Sequence, residues 1–277
     1  MIANRESAPS ARSGGRVADA FAAARAEGRA ALVTYLTYGD PSLAGSMDVL
    51  EAVIAAGSDV IELGVPFSDP SADGPSIQAA MARALDAGAG LSQALSAVAE
   101  LRRRGHTIPV VLFGYYNPIF VMGAEAFAAR AAASGVDAVL TVDLPLEELG
   151  ELAAPLAQHH IAVIPLVAPT STAARIARVA PLAAPFVYYI SMTGVTGAAA
   201  KAAVSPQRID EIRAATAAPV AVGFGIRTPA QAAAMAQLAD GVVVGSALVD
   251  EIADGDPAGA PARVAKLVSL LRAAVRR

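Results

Sequence analysis

The chain has no cysteine. That absence excludes a disulfide framework, a thiolate nucleophile and any zinc site built on sulfur. Histidine is nearly as scarce: His106, His159 and His160 are the only three among 277 residues, and none stands at a ligand-like spacing with acids. His159 and His160 read instead as the end of a helix, where a cation complements the helix dipole. Basic residues form no cluster and the formal net charge is −4, which argues against nucleic acid as a partner. No apolar run approaches the roughly 18 residues that a bilayer span requires. The best run, Ile161 to Val167, contains Pro165 and reads as a buried strand. Residues 1 to 14 carry Arg5, Glu6, Pro9 and Arg12 without a continuous apolar segment. They are expected to form a disordered leader, and they do not resemble a secretory signal.

What is present is apolar and rich in alanine, 55% hydrophobic against 17% charged, a balance that suits many helices packed on a sheet. Short runs rich in β-branched residues recur at Ala31 to Thr37, Asp59 to Glu62, Pro109 to Phe113, Ala138 to Val142, Ile161 to Leu166, Phe186 to Ile190, Pro219 to Val222 and Gly241 to Val244. Segments with helical spacing separate them, and glycine or proline marks most boundaries. Strands that alternate with helices pair in parallel, because each crossover returns the chain to the same edge of the sheet. The expected fold class is therefore α/β: a single-domain (β/α)8 TIM barrel over residues 15–277. It would have an extra N-terminal helix and additional helices after strands two and eight. An open doubly wound sheet is the competitor, but no Gly-x-Gly-x-x-Gly follows the first strand.

In such a barrel the chemistry belongs at the C-terminal ends of the strands. Glu62 ends the second strand, and the loop behind it, punctuated by Gly64, Pro66, Pro70, Gly74 and Pro75, carries Asp69 and Asp73. Glu62 and Asp73 are the candidate proton-handling pair, with Asp69 a turn-forming acid. Tyr35, Phe113, Tyr115, Leu140, Leu166, Tyr188 and Phe224 are candidate apolar walls. Any one of them would serve equally as ordinary barrel core, so only their combination at one end is informative. A carboxyl buried among them would have a raised pKa, as a group that both gives and takes protons requires. At the opposite half of the mouth, glycine-rich loops follow strands six, seven and eight. Barrels often place a phosphate near their last strands. The amides of Gly197, Gly225, Gly245 and Ser246, with Ser246 opening a short helix, are the candidate donors, and Arg227 reads as solvated.

The stretch Glu-Leu-Gly-Val-Pro-Phe-Ser-Asp-Pro-Ser-Ala-Asp-Gly-Pro from Glu62 resembles the signature of the tryptophan synthase alpha chain family. The likeness continues in order at Thr37 to Pro41, Gly114 to Pro118, Val136 to Leu140 with Asp143 to Pro145, Gly194 to Gly197, Gly223 to Ile226 and Gly245 to Ala247. This resemblance implies a lyase that cleaves indole-3-glycerol phosphate to indole and glyceraldehyde 3-phosphate by a retro-aldol reaction. Glu62 matches the family's catalytic glutamate and Asp73 the aspartate that binds the indole N–H. Tyr188 matches a pocket residue and Thr196 a residue of the sixth loop, which closes over the site. Met192-Thr193 stands where many relatives have Arg-Ser, so loop closure would rest on different contacts here.

The resemblance further implies an α2β2 heterotetramer with a beta chain. That partner, and not this chain, would carry pyridoxal phosphate as cofactor, and the location would be cytoplasmic. The second loop, Val65 to Pro75, and the third, around Tyr115 to Pro118, would face it. Two other readings compete: another phosphate-binding barrel of the same pathway, and a catalytically weak alpha-type subunit that mainly activates the beta chain. The first lacks a lysine at a catalytic strand end, and the intact pair Glu62 and Asp73 argues against the second.

Overall fold

In a computed structural model, which describes residues 15–190, 204–223 and 225–277, every strand runs parallel to its neighbours. The strands are β1 (Ala31–Thr37), β2 (Val60–Gly64), β3 (Val110–Gly114), β4 (Ala138–Thr141), β5 (Ala162–Val163), β6 (Leu166–Val167), β7 (Val187–Ile190), β8 (Val220–Gly223) and β9 (Gly241–Val244). Their order is β5-β4-β3-β2-β1-β9-β8-β7-β6. The two ends of that order, β5 and β6, are separated in the chain only by Ile164 and Pro165. The Ile164 amide donates to the Val139 carbonyl at 2.9 Å, whereas the Pro165 carbonyl accepts from the Tyr188 amide at 3.0 Å. β5 and β6 are thus halves of one barrel strand, and the sheet closes through them. The sequence leads one to expect a single strand over Ile161 to Leu166. It divides at Pro165 because proline has no N–H to give to the ladder.

The helices are α1 (Gly15–Ala26), α2 (Leu43–Ala55), α3 (Pro75–Asp86), α4 (Leu91–Arg103), α5 (Tyr116–Met122), α6 (Ala124–Ser134), α7 (Gly150–Gln158), α8 (Ala173–Ala177), α9 (Pro206–Thr216), α10 (Pro229–Ala236), α11 (Ser246–Ala253) and α12 (Ala260–Ala274). Two helices follow β2 and two follow β9, as expected. A third pair follows β3, because Tyr116–Met122 is a helix where the Gly and Pro punctuation suggests only a loop. Its Pro118 falls in the first turn, where a missing N–H costs nothing. The helix expected from Glu147 starts three residues later, at Gly150, and His159 is its C-cap residue. The leader, residues 1–14, lies outside the described residues.

Side chains alternate across each strand. Ala31, Val33 and Tyr35 of β1, Val60 of β2, Val111 and Phe113 of β3, and Ala138 and Leu140 of β4 fill the barrel interior. Leu32, Leu36, Ile61, Leu63, Leu112 and Val139 face the helices. The N-terminal end of the barrel is stoppered by α1, whose Phe21 stacks on Phe186 with ring centroids 5.0 Å apart. A Cβ on Gly241 would come within 2.8 Å of the Phe21 ring, so the glycine there makes room for the stopper. This apolar packing plugs the barrel interior at its N-terminal end, so the interior is approached from the C-terminal end of the strands.

Candidate active site at the barrel mouth

Alternation alone decides where Glu62 points. It lies between Ile61 and Leu63, which face the helices, and it shares the inward face with Val60. In register it sits beside Tyr35 on β1 and Val111 on β3, both interior. Its exposure is 0%, and neither carboxylate oxygen has a hydrogen-bond partner among the described residues. A bare carboxylate in an apolar cavity is strongly disfavoured, and burial pushes the Glu62 pKa up to about 8. A carboxyl poised near neutrality can donate a proton and take one back.

Asp73 reaches the mouth from the loop behind β2. Pro75 opens α3 with Gly74 as its N-cap residue, which fixes where the loop ends. Within it the Asp73 amide donates to the Pro70 carbonyl at 3.1 Å, and the Gln78 side-chain amide donates to the Asp73 carbonyl at 2.8 Å. The Asp73 carboxylate is buried and accepts from the Tyr115 hydroxyl at 2.7 Å. Burial raises its pKa, and the tyrosine hydrogen bond works against that rise. Asp69, in contrast, is exposed; it accepts from the Ser68 hydroxyl at 2.5 Å and behaves as a turn acid.

Between the two acids the walls are aromatic. Tyr35 meets Phe113 edge to face at 5.2 Å, and Phe113 lies 6.4 Å from Tyr188. Leu140 belongs to the same interior cluster, and Leu166 packs against it while bordering a cleft of about 280 Å³ beside the mouth. Burial raises the pKa of both Tyr35 and Tyr188, as do the carboxylates that face them. Both phenols are therefore neutral donors throughout the physiological range.

The strand-end glycines have a role that the sequence did not reveal. A Cβ on Gly64 would stand 2.3 Å from the Tyr35 hydroxyl, and one on Gly223 only 2.0 Å from the Tyr188 hydroxyl. A Cβ on Gly245 would lie 3.2 Å from the Tyr35 Cβ. These positions lack side chains so that two phenols can lie across the mouth. Tyr115 is also more than a wall. Its ring stacks on Phe67 at 5.0 Å, and its hydroxyl accepts from the Ala72 amide at 2.9 Å while donating to Asp73. The alternation pattern could not find this contact, because it joins loops 42 residues apart.

At the opposite side of the mouth, Gly225 has φ +79°, a left-handed conformation that favours glycine. Gly245 is the N-cap residue of α11, which begins at Ser246. The first-turn amides of a helix have no intrahelical acceptors and point outward, so this end can hold an anion. Arg227, expected to be solvated, is half exposed but paired with Asp250. Thr196, Gly197, Phe224 and the pair Met192-Thr193 lie outside the described residues. Among the described residues no group of three or more His, Asp or Glu could hold a metal ion, and no helix is long and apolar enough to cross a membrane. A wider cleft of about 770 Å³ lies at the other, N-terminal end beneath α1. The buried acids, not the size of a cleft, mark the barrel mouth as the candidate site.

Comparison with known proteins gives one answer. A family model for the tryptophan synthase alpha chain matches residues 21–275. The tryptophan synthase alpha chain of Xanthomonas euvesicatoria pv. vesicatoria (strain 85-10) is 49% identical over 263 residues, covering 94% of this chain and 98% of that one. A structure of Mycobacterium tuberculosis tryptophan synthase superimposes with a TM-score of 0.85 at 39% identity, covering 95% of this chain and 98% of that one. The tryptophan synthase alpha subunit of Legionella pneumophila str. Paris does so with a TM-score of 0.83 at 34% identity, covering 94% of this chain and 98% of that one. With a closed parallel barrel and two buried acids at its mouth, the chain belongs to the tryptophan synthase alpha chain family and has the role of an alpha subunit, a lyase, in tryptophan biosynthesis.

Proposed function

We propose that the reaction is cleavage of indole-3-glycerol phosphate to indole and D-glyceraldehyde 3-phosphate. The observation that carries this reading is Glu62: a carboxyl with 0% exposure, no hydrogen-bond partner among the described residues and a pKa near 8, facing an aromatic chamber. The bond between C3 of the indole and the glycerol side chain breaks only after C3 becomes tetrahedral. Glu62 in its protonated form delivers the proton to C3. As a carboxylate it then takes the proton from the side-chain hydroxyl whose carbon becomes the aldehyde. The ring cation formed in between needs a nearby negative charge, and Asp73, accepting the indole N–H, supplies it.

Tyr35, Phe113, Leu140, Leu166 and Tyr188 enclose the flat ring and exclude water from it. Phe224 joins that wall by its place in the sequence after the seventh barrel strand, and Thr196 belongs, by the resemblance, to the sixth loop that closes over the site. The amides of Gly225, Gly245 and Ser246, with Gly197, hold the phosphate by backbone dipoles.

The chain itself needs no cofactor for this chemistry, and pyridoxal phosphate belongs to a partner beta chain in an α2β2 heterotetramer, in the cytoplasm. Support for the docking face comes from α5, whose Phe120 and Val121 are 67% and 78% exposed. Tyr115, the N-cap residue of the same helix, stacks on Phe67 of the second loop, and Phe120 packs against Tyr116. Exposed aromatic and aliphatic side chains grouped in this way mark a protein interface. The direct test is release of indole from indole-3-glycerol phosphate by the purified chain, with and without a beta chain. Indole formation that rises when the beta chain is added is the expected result; no indole under either condition would overturn the reading.

A further inference from the structure

The Tyr35 side chain runs from one end of the mouth to the other. A Cβ on Gly245 would lie 3.2 Å from the Tyr35 Cβ, and one on Gly64 would lie 2.3 Å from the Tyr35 hydroxyl. Gly245 is the N-cap residue of α11, so the root of the side chain stands at the proposed phosphate end. Gly64 ends β2 and, by alternation, shares the inward face of that strand with Glu62, one repeat nearer the opening. The phenol hydroxyl thus fills the side-chain space that Gly64 leaves empty, between Glu62 and the open end of the barrel. The ring is buried, and Phe113 meets it edge to face at 5.2 Å. Among the described residues its hydroxyl has one hydrogen-bond partner, the Thr37 hydroxyl at 3.3 Å, longer than the about 2.7–2.8 Å usual between hydroxyls. A phenol both donates and accepts, and this single long bond leaves it capacity for a second partner.

We propose that the Tyr35 hydroxyl sets specificity for the hydroxylated three-carbon chain of the substrate, by hydrogen-bonding the hydroxyl that takes no part in bond cleavage. The inference rests on the proposed function. In indole-3-glycerol phosphate the carbon joined to the ring carries the hydroxyl that Glu62 deprotonates, the middle carbon carries a second hydroxyl and the last carries the phosphate. With the phosphate on the amides of Gly245 and Ser246 and the first hydroxyl at Glu62, the middle carbon lies between those two points. The Tyr35 side chain spans the same two points, and its hydroxyl stands at the Glu62 end. The second hydroxyl survives the cleavage, so this bond is made equally to substrate, transition state and product. Such uniform binding lowers KM and leaves kcat unchanged.

Calorimetry on the full chain compares two analogues that cannot be cleaved: indole-3-propanol phosphate, with neither hydroxyl, and its counterpart bearing only the middle hydroxyl. The parent should bind the hydroxylated analogue about fivefold more tightly, the size of one neutral hydrogen bond. In Tyr35→Phe that preference should fall to within about twofold of unity, while affinity for indole-3-propanol phosphate is kept and KM for indole-3-glycerol phosphate rises with a much smaller change in kcat. Thr37→Val removes the phenol's partner within the protein. The ligand's hydroxyl then satisfies a buried group that is otherwise unpaired, and the preference should exceed the parent's. Thermal melts accompany both variants; a purely structural hydroxyl would weaken both analogues alike. A parent without the preference, a Tyr35→Phe variant that keeps it, or a Thr37→Val variant with no gain over the parent overturns the inference and leaves the proposed function standing. A parent that binds neither analogue overturns both.

Discussion

The Tyr115 hydroxyl donates to the Asp73 carboxylate at 2.7 Å while accepting from the Ala72 amide at 2.9 Å. One phenol therefore fixes both the position of the acid and the turn that carries it. Burial raises the Asp73 pKa and this bond lowers it. Tyr115→Phe removes the lowering influence, so the Asp73 pKa should rise further. Ionised Asp73 is needed opposite the ring cation, and the acidic limb of the kcat profile should move to higher pH. A pH profile of kcat checks this; a limb that moves to lower pH, or not at all, would show that the bond does not tune Asp73.

Asp73→Asn keeps the shape of the side chain and removes its charge. If the carboxylate acts on the cation formed during reaction, kcat should fall by at least one order of magnitude while KM changes much less, since the interaction exists chiefly in the transition state. Steady-state kinetics with indole-3-glycerol phosphate measures both. An unchanged kcat would remove Asp73 from the chemistry.

Gly64→Ala places a methyl group 2.3 Å from the Tyr35 hydroxyl in the present geometry. Tyr35 must move, and overpacking of this kind costs about 1–3 kcal/mol. Both a lower melting temperature and a lower kcat are expected, the second because Tyr35 lies in register with Glu62. Calorimetry and kinetics on the same preparation test the pair; wild-type stability would show that the Tyr35 ring is not held against Gly64.

Glu62 also leaves a mark on stability. Its pKa is 4.5 in the unfolded chain and about 8 in the folded one. Between those values the folded state holds a proton that the unfolded state has lost, so stability falls as pH rises through this window. The penalty is absent below the unfolded value and complete above the folded one. Glu62→Gln removes it, and the variant should melt several degrees above the parent at pH 9. The difference should shrink towards zero near pH 4. Thermal melts across that range check the sign; a variant less stable than the parent at high pH would contradict a buried, unpartnered carboxyl.

Much of this was legible in the sequence. β1 and β9 run over Ala31–Thr37 and Gly241–Val244 as their apolar runs indicate, because glycine, aspartate and proline bound those runs sharply. Glu62 could be placed on the second strand from the turn residues that follow it, although β2 runs on past it to Gly64 and Glu62 is its middle residue. Pro165 was visible, but its effect was not, since whether a proline breaks a strand depends on which neighbour would have accepted its missing N–H. The helix Tyr116–Met122 escaped because Tyr, Asn and Pro open it and it covers only two turns. The contacts of Tyr115 with Asp73, and of Tyr188 with Gly223, join distant parts of the chain and leave no local pattern to read.

The central claim is that Glu62 moves the protons, and indole release from indole-3-glycerol phosphate by Glu62→Gln tests it most directly. General acid–base catalysis contributes roughly 10²–10⁴-fold, and a glutamine can neither give nor take the proton. The account predicts a loss of at least about a hundredfold in kcat, with substrate still bound. A variant that retains activity within about tenfold of the parent, roughly 1.4 kcal/mol of barrier, would contradict it.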